Sequence, residues 1–125
     1  MSAPAVRPRL IVNDGLPVMK NELHGLLRDG KIEEFNAKRK KNGKVDLSQC
    51  NLRGIDLRGM DTTNVDFSNS YLRQADLRGL DLRTCNLEGA SINQAVISGA
   101  YFPDSISAEE IRLSHDIGTR IRLRK

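Results

Sequence analysis

Large apolar side chains recur at every fifth residue between Val45 and Asp104. Written in fives, this stretch reads VDLSQ, CNLRG, IDLRG, MDTTN, VDFSN, SYLRQ, ADLRG, LDLRT, CNLEG, ASINQ, AVISG and AYFPD. The twelve units cover 60 of the 125 residues, and eleven of the twelve third positions are large and apolar. A period of five fits neither a helix nor a flat strand, so the repeat predicts a stack of identical structural units.

Each position of the unit has its own chemistry. The third and first positions are mostly apolar and are expected to face inward, although Thr62 places a hydroxyl among the third positions. The fifth position is often Gly, which suits a tight corner. The second position is Asp or Asn in eight units, namely Asp46, Asn51, Asp56, Asp61, Asp66, Asp76, Asp81 and Asn86. These side chains are expected to hydrogen-bond within their own turns, in preference to a metal-binding or catalytic role.

The units resemble those of the pentapeptide-repeat family, which follow the pattern A-(D/N)-L-x-x. ADLRG, from Ala75 to Gly79, matches every letter, and five further units differ only at the first position. The resemblance implies an all-β solenoid, a right-handed, four-sided β-helix with one pentapeptide per side and about three coils. Segments similar to GKIEEFNAKR and SAEEIRLS…GTRIR flank the coils of bacterial members. The resemblance therefore covers roughly residues 18–124 and is to a small bacterial protein.

The regions around the repeat are expected to cover its ends within one domain. Residues 1–44 form an N-terminal arm and helical cap, 45–104 the β-helix, and 105–125 a cap made of a helix and a strand. Helices are predicted from Val18 to Arg28, from about Lys31 to Lys40, and from Ser107, as N-cap, to Leu113 or Ser114. Alternating Arg with Ile and Leu predicts a strand over Gly118–Arg124, pairing with the last coil or with the arm.

The arm contains a short apolar run, Leu10, Ile11 and Val12, followed by a turn signal. These apolar side chains are expected to be shielded from water, and two arrangements could do so. It lies on its own coil, or it pairs with a second copy of the chain and makes a homodimer.

Charge is unevenly distributed along the chain, whose net charge is +4. Residues 1–44 carry ten basic and five acidic groups, the repeat five and eight, and residues 105–125 five and three. The N-terminus has no apolar leader and no stretch approaches the length of a membrane span, so we expect a cytoplasmic protein without membrane contact. Cys50 and Cys85 occupy inward first positions too far apart for a disulfide and are expected to be buried and reduced.

Catalytic and metal-binding motifs are not recognisable in this sequence. His24 and His115 lie on separate caps, and neither has a second His or Cys at the spacing of zinc ligands. No phosphate-binding glycine loop, metalloprotease motif or nucleophile elbow occurs. We therefore expect a non-enzymatic protein that needs no cofactor or metal.

The outer surface remains as the candidate functional site. Residues 20 apart should stack, so the repeat is expected to present an Arg-rich surface to an acidic or carboxylate-bearing protein partner. The candidate residues are Arg53, Arg58, Arg73, Arg78, Arg83, Asp56 and Asp76. The competing interpretation is a solubilising surface whose exposed ion pairs contribute little.

Two other partners are weaker alternatives. The basic run of Lys38, Arg39, Lys40, Lys41 and Lys44 could bind nucleic acid. A solvated helix end is the favoured interpretation, because cations suit a helix C-terminus and no aromatic residue is interleaved for base stacking. Some members of the family mimic DNA and act on DNA gyrase. That role needs a long negative surface, whereas this repeat is short and interrupted by arginines.

Overall fold

The computed structural model describes residues 19–124. In chain order the elements are α1 (Lys20–Arg28), α2 (Ile32–Lys38), β1 (Val45–Asp46), β2 (Val65–Asp66) and α3 (Ala108–Ile117). The two strands pair in parallel, with Val45 opposite Val65 and Asp46 opposite Asp66. No helix within this described part of the chain is both long and apolar enough to cross a membrane.

Parallel backbone pairing with an offset of 20 residues extends through the repeat. Single parallel bridges join Asn51 to Tyr71, Asp56 to Asp76, Asp66 to Asn86, Tyr71 to Ser91, Asp76 to Val96 and Asp81 to Tyr101. We call each 20-residue interval a coil and each set of residues stacked 20 apart a column. Four pentapeptides therefore separate stacked residues, as the family resemblance implied.

The interior is filled by the third and first positions of the units. Third-position side chains from Leu47 to Ile92 are buried, and only Ile97 and Phe102 in the last coil are half-buried. Ten of the twelve first positions are also buried, the exceptions being Ile55 and Ala100. Thr62 is accommodated because its hydroxyl donates a hydrogen bond to the Asp81 carbonyl at 2.5 Å.

The corners of the coil are turns, which two kinds of hydrogen bond hold. At ten corners the N–H of the next first position donates to the third-position carbonyl, as from Leu80 to Leu77 at 3.2 Å. The fifth residue has positive φ in ten units, and at Gly89 an added Cβ would lie 2.1 Å from Asn69 Oδ1. All eight second-position Asp and Asn side chains accept from the backbone N–H two residues later, which confirms their predicted turn role.

The first coil has an exposed backbone edge, and the two N-terminal helices satisfy part of it. His24 Nε2 donates to the Asn51 carbonyl at 2.9 Å. The Asn36 amide donates to the Gly59 carbonyl and accepts from the Asp61 N–H, as a neighbouring strand would. The first helix begins two residues after the predicted start and ends at Arg28, as predicted. The second begins one residue after its predicted start and ends two residues before its predicted end.

The last coil is covered by α3 and the segment after it. Ser107 is the N-cap of α3, as predicted, and accepts from the Glu110 N–H at 3.1 Å. The helix continues to Ile117, three or four residues beyond the predicted end, because the first residue that favours a left-handed stop is Gly118, with φ of +88°.

The predicted strand over Gly118–Arg124 is wrong, since this segment has no strand structure. Its backbone hydrogen bonds to the coil involve only Ile121, whose N–H donates to the Ala90 carbonyl while its carbonyl accepts from the Gly89 N–H. A ladder needs consecutive pairs, and the next backbone hydrogen bond of this segment joins Arg124 to Ser105, outside the coil. Ile121 is nevertheless buried, as the alternating pattern required.

Candidate interaction surface

The five arginines of the repeat lie in three columns rather than on one continuous surface. Because only residues 20 apart stack, Arg53 lies under Arg73, Arg58 under Arg78, and Arg83 over Thr63. All five occupy fourth positions, next to a corner. They differ in what their guanidinium groups contact.

Arg58 and Arg78 form forked ion pairs with carboxylates of their own units. Arg58 donates to Asp56 at 3.0 and 2.8 Å, and Arg78 donates to Asp76 at 2.9 and 2.6 Å. Arg58 also lies 3.4 Å from an Asp76 oxygen in the next coil, which joins the pairs into a ladder. We call Asp56, Arg58, Asp76 and Arg78 the paired arginine column.

The fork has a clear electrostatic consequence. The side-chain hydrogen bond from Arg58 lowers the pKa of Asp56 to about 2, and the corresponding bond from Arg78 lowers that of Asp76. Arg83 does the same to Asp81, whose pKa is also about 2. Arg83 additionally lies over the ring of the exposed Tyr101, 5.1 Å from its centroid.

Arg53 and Arg73 have no carboxylate in their own units, because the second positions there are Asn51 and Tyr71. Arg53 Nε donates to the neutral Gln74 Oε1 at 3.3 Å, and Arg73 donates to the neutral Asn93 Oδ1 at 2.9 Å. We call Asn51, Arg53, Tyr71 and Arg73 the open arginine column. The two guanidinium charges in this column form no ion pair with any residue in the range 19–124.

The Tyr71 ring contacts the guanidinium group of Arg73, which belongs to the same unit. The Arg73 guanidinium lies over the tyrosine ring at 5.8 Å from its centroid, within the range of a cation–π contact. The ring itself is 45% exposed, among the largest exposed apolar surfaces of the repeat. The same signal was present in the sequence, where Tyr71 replaces the expected Asp or Asn, but its pairing with Arg73 required the structure.

The basic run before the repeat is not a uniform surface. Arg39 is 1% exposed and donates to the carbonyls of Asp61, Lys40 and Gly43, so it is part of the N-terminal cap and not a solvated cation. Lys38 lies 3.4 Å from Glu22. The three remaining lysines of the run, Lys40, Lys41 and Lys44, are exposed.

Other chemistry-bearing side chains of the described residues serve the fold. Cys50 and Cys85 are buried and unpaired, and burial raises the pKa of the Cys85 thiol to about 12. Both histidines bind backbone carbonyls at the two ends of the coil stack, His24 below and His115 above. Between residues 19 and 124, no three His, Cys, Asp or Glu side chains are grouped to hold a metal ion.

The repeat of this chain matches the model of a known protein family. The family model of pentapeptide repeats, described as eight copies, matches residues 44–79 and 70–106. The chain belongs to the pentapeptide-repeat family. Repeats of this family generally form a right-handed quadrilateral β-helix, and such proteins often mediate protein interactions. No curated protein and no solved structure matches the chain.

The candidate residues of this pentapeptide-repeat protein therefore divide by their surroundings. Asp56, Arg58, Asp76 and Arg78 neutralise one another, whereas Arg53 and Arg73 face outward with neutral partners. The segment Leu10–Val12, proposed as a dimer contact from the sequence, lies outside the described residues.

Proposed function

We propose that this pentapeptide-repeat protein is a non-enzymatic interaction module of the cytoplasm, a right-handed, four-sided β-helix of about three coils that presents its patterned sides to a protein partner. The observation that carries the proposal is the cover at both ends of the coil stack. His24 and Asn36 occupy one end, and His115 and Ile121 the other. With the interior filled by apolar side chains, the sides of the columns are the surface left for binding.

Rigidity supports the same proposal. Backbone hydrogen bonds between coils and within ten of the corners fix the fourth-position side chains on a framework that needs no reorganisation to bind, which lowers the entropy cost of association. The unpaired, buried thiols of Cys50 and Cys85 suit the reducing compartment that the proposal includes.

Nucleic-acid binding through the basic run has weaker support. Arg39 is buried in the N-terminal cap, so only three exposed lysines of the run could contact a nucleic acid. The DNA-mimic alternative is also weaker, because it requires a long negative surface. Arginines balance the carboxylates of the paired arginine column, and the open arginine column has no carboxylate.

The test is affinity capture from the lysate of the source cell, using the tagged full-length chain with and without nuclease. Captured proteins are identified, purified and returned to the immobilised chain, so that only direct binders count. A stoichiometric direct binder that survives nuclease supports an interaction module. Loss of all captured protein on nuclease treatment moves the function to nucleic acid, and the absence of any direct binder contradicts the proposal.

A further inference from the structure

The open arginine column has four properties that together describe a binding site. It carries two cations that no carboxylate of residues 19–124 neutralises, and it includes one exposed aromatic ring. It is held on a hydrogen-bonded framework, and its guanidinium donors are largely unused. Arg53 uses only Nε in a hydrogen bond, and Arg73 only one terminal nitrogen, to partners within the described residues.

The spacing of the two cations restricts the partner. Asn51 and Tyr71 are a parallel backbone pair, so Arg53 and Arg73 start from backbones about 4.8 Å apart. Carboxylates three or four residues apart on one helix have Cβ atoms about 5–6 Å apart. Alternate residues of an extended strand are about 6.6 Å apart, a poorer match. Each carboxylate could then take a forked contact from one guanidinium.

Carboxylates on one side of the column argue against a polyanion. The preceding units contribute Asp46, Asp66 and Glu88, whereas Asp56 and Asp76 of the following units are already balanced by Arg58 and Arg78. A single-stranded nucleic acid carries a charge on every nucleotide and would extend past the two arginines onto these carboxylates. A pair of carboxylates on one helical turn would contact the arginines alone.

Resting on the interaction module proposed above, we propose that the open arginine column binds a helix of a partner protein that carries two carboxylates one turn apart. Arg53 and Arg73 supply the forked contacts. The exposed Tyr71 ring holds Arg73 and packs against the aliphatic part of the helix. The paired arginine column takes no part, because its arginines are already held by Asp56 and Asp76.

The probe is a labelled alanine-based helical peptide of about 16 residues with two glutamates four residues apart, long enough to form helix in isolation. Its control has glutamines at both positions, and a labelled oligothymidylate tests the nucleic-acid alternative. Binding to the full-length protein is measured at low and at physiological salt. The glutamate peptide is expected to bind, more weakly at higher salt, and the glutamine peptide is expected not to bind.

Three variants locate the site. Arg53→Gln with Arg73→Gln should weaken peptide binding about tenfold or more, since charged hydrogen bonds are lost. The matched control, Arg58→Gln with Arg78→Gln, removes the same charge from the paired arginine column and should change binding far less. Asn51→Asp keeps both arginines and the turn but gives Arg53 a carboxylate in its own unit, so it should weaken binding as well.

Each contrary outcome has a distinct meaning. Equal losses in the two double variants would show a general charge effect and overturn the proposal, as would preferential binding of oligothymidylate. No binding of the glutamate peptide overturns it too. If a direct binder from the lysate is then retained by the Arg53→Gln, Arg73→Gln protein, the interaction module stands and only this column is excluded. If no direct binder exists, both proposals fail.

Discussion

The open and paired arginine columns occupy equivalent positions of the same repeat, yet their arginines have different surroundings. In the paired arginine column, Asp56 and Asp76 hold Arg58 and Arg78 in forks within their own units. In the open arginine column, Asn51 and Tyr71 occupy the corresponding positions, and both arginines donate to neutral amides of the next coil. The second residue of the unit thus decides whether the fourth is neutralised within the coil or remains available.

The largest expected effect is on the free energy of unfolding, when a buried leucine behind either column is truncated. Leu72 and Leu77 are 0% and 1% exposed and lie below the open and paired arginine columns respectively. Leu72→Ala and Leu77→Ala should each lower the free energy of unfolding by about 2–4 kcal/mol, through lost burial and a residual cavity. Urea denaturation measures both values.

Leu77→Met, which keeps the volume, is the matched control and should cost less than about 1.5 kcal/mol. A loss at one leucine several times larger than at the other would mean that the two columns do not share one framework. Their different arginine contacts could then follow from different backbones and not from the second residue.

These core positions were predictable because a five-residue period is visible in the letters alone, and so was the turn role of the second-position carboxylates. The burial of Arg39 was not predictable, since nothing in the sequence of a run of five basic residues distinguishes the buried one from the exposed ones. Its burial depends on carbonyls of the first coil and of the loop at Lys40 and Gly43, which only the fold brings together.

Two further features, the missing strand over Gly118–Arg124 and the contact of Arg73 with Tyr71, were not predictable for the same reason. Alternating Arg with Ile and Leu correctly predicted a buried Ile121, but alternation does not reveal how many backbone pairs a neighbour can offer. Likewise, the stacking of residues 20 apart was predicted from the family resemblance, which implies four units per coil. The Arg73 contact with Tyr71, by contrast, depends on a side-chain conformation that a spacing rule does not contain.

Arg39 differs from the arginines of both columns, because it is buried and donates to backbone carbonyls. Arg39→Met keeps the aliphatic bulk but leaves carbonyls of Asp61 and Gly43 without this donor. The expected cost is about 1–3 kcal/mol in the free energy of unfolding. Lys41→Met removes one exposed charge from the same run and should stay within about 0.5 kcal/mol. Equal, small effects would place Arg39 among the solvated cations.

Acid titration separates the two columns without altering their stacking. The folded pKa of Asp56 is about 2, below the ordinary aspartate value of 3.8, so its contribution to stability is fully present above pH 3.8. That contribution is lost as pH falls through about 2, because the protonated carboxyl no longer holds Arg58 as an ion pair. The open arginine column contains no carboxylate and contributes no such dependence.

Carboxyl chemical shifts followed by NMR against pH test this assignment. Arg58→Gln should move the pKa of Asp56 upward toward 3.8. Arg53→Gln, the matched change in the open arginine column, should leave the pKa of Asp56 where it is. An Asp56 pKa near 3.8 in the unchanged protein would show that the fork does not form in solution.

The smallest expected effect concerns stability at neutral pH, where Arg53→Gln and Arg58→Gln should both leave the melting temperature nearly unchanged. Exposed ion pairs contribute little, because solvent screens them and ordering two long side chains costs entropy. Scanning calorimetry of the two variants and of the unchanged protein makes the comparison. A clear drop for Arg58→Gln alone would give the paired arginine column a stabilising role. Equal melting temperatures would mean that neither column is needed for folding, and that the two unneutralised arginines are better explained by what they bind.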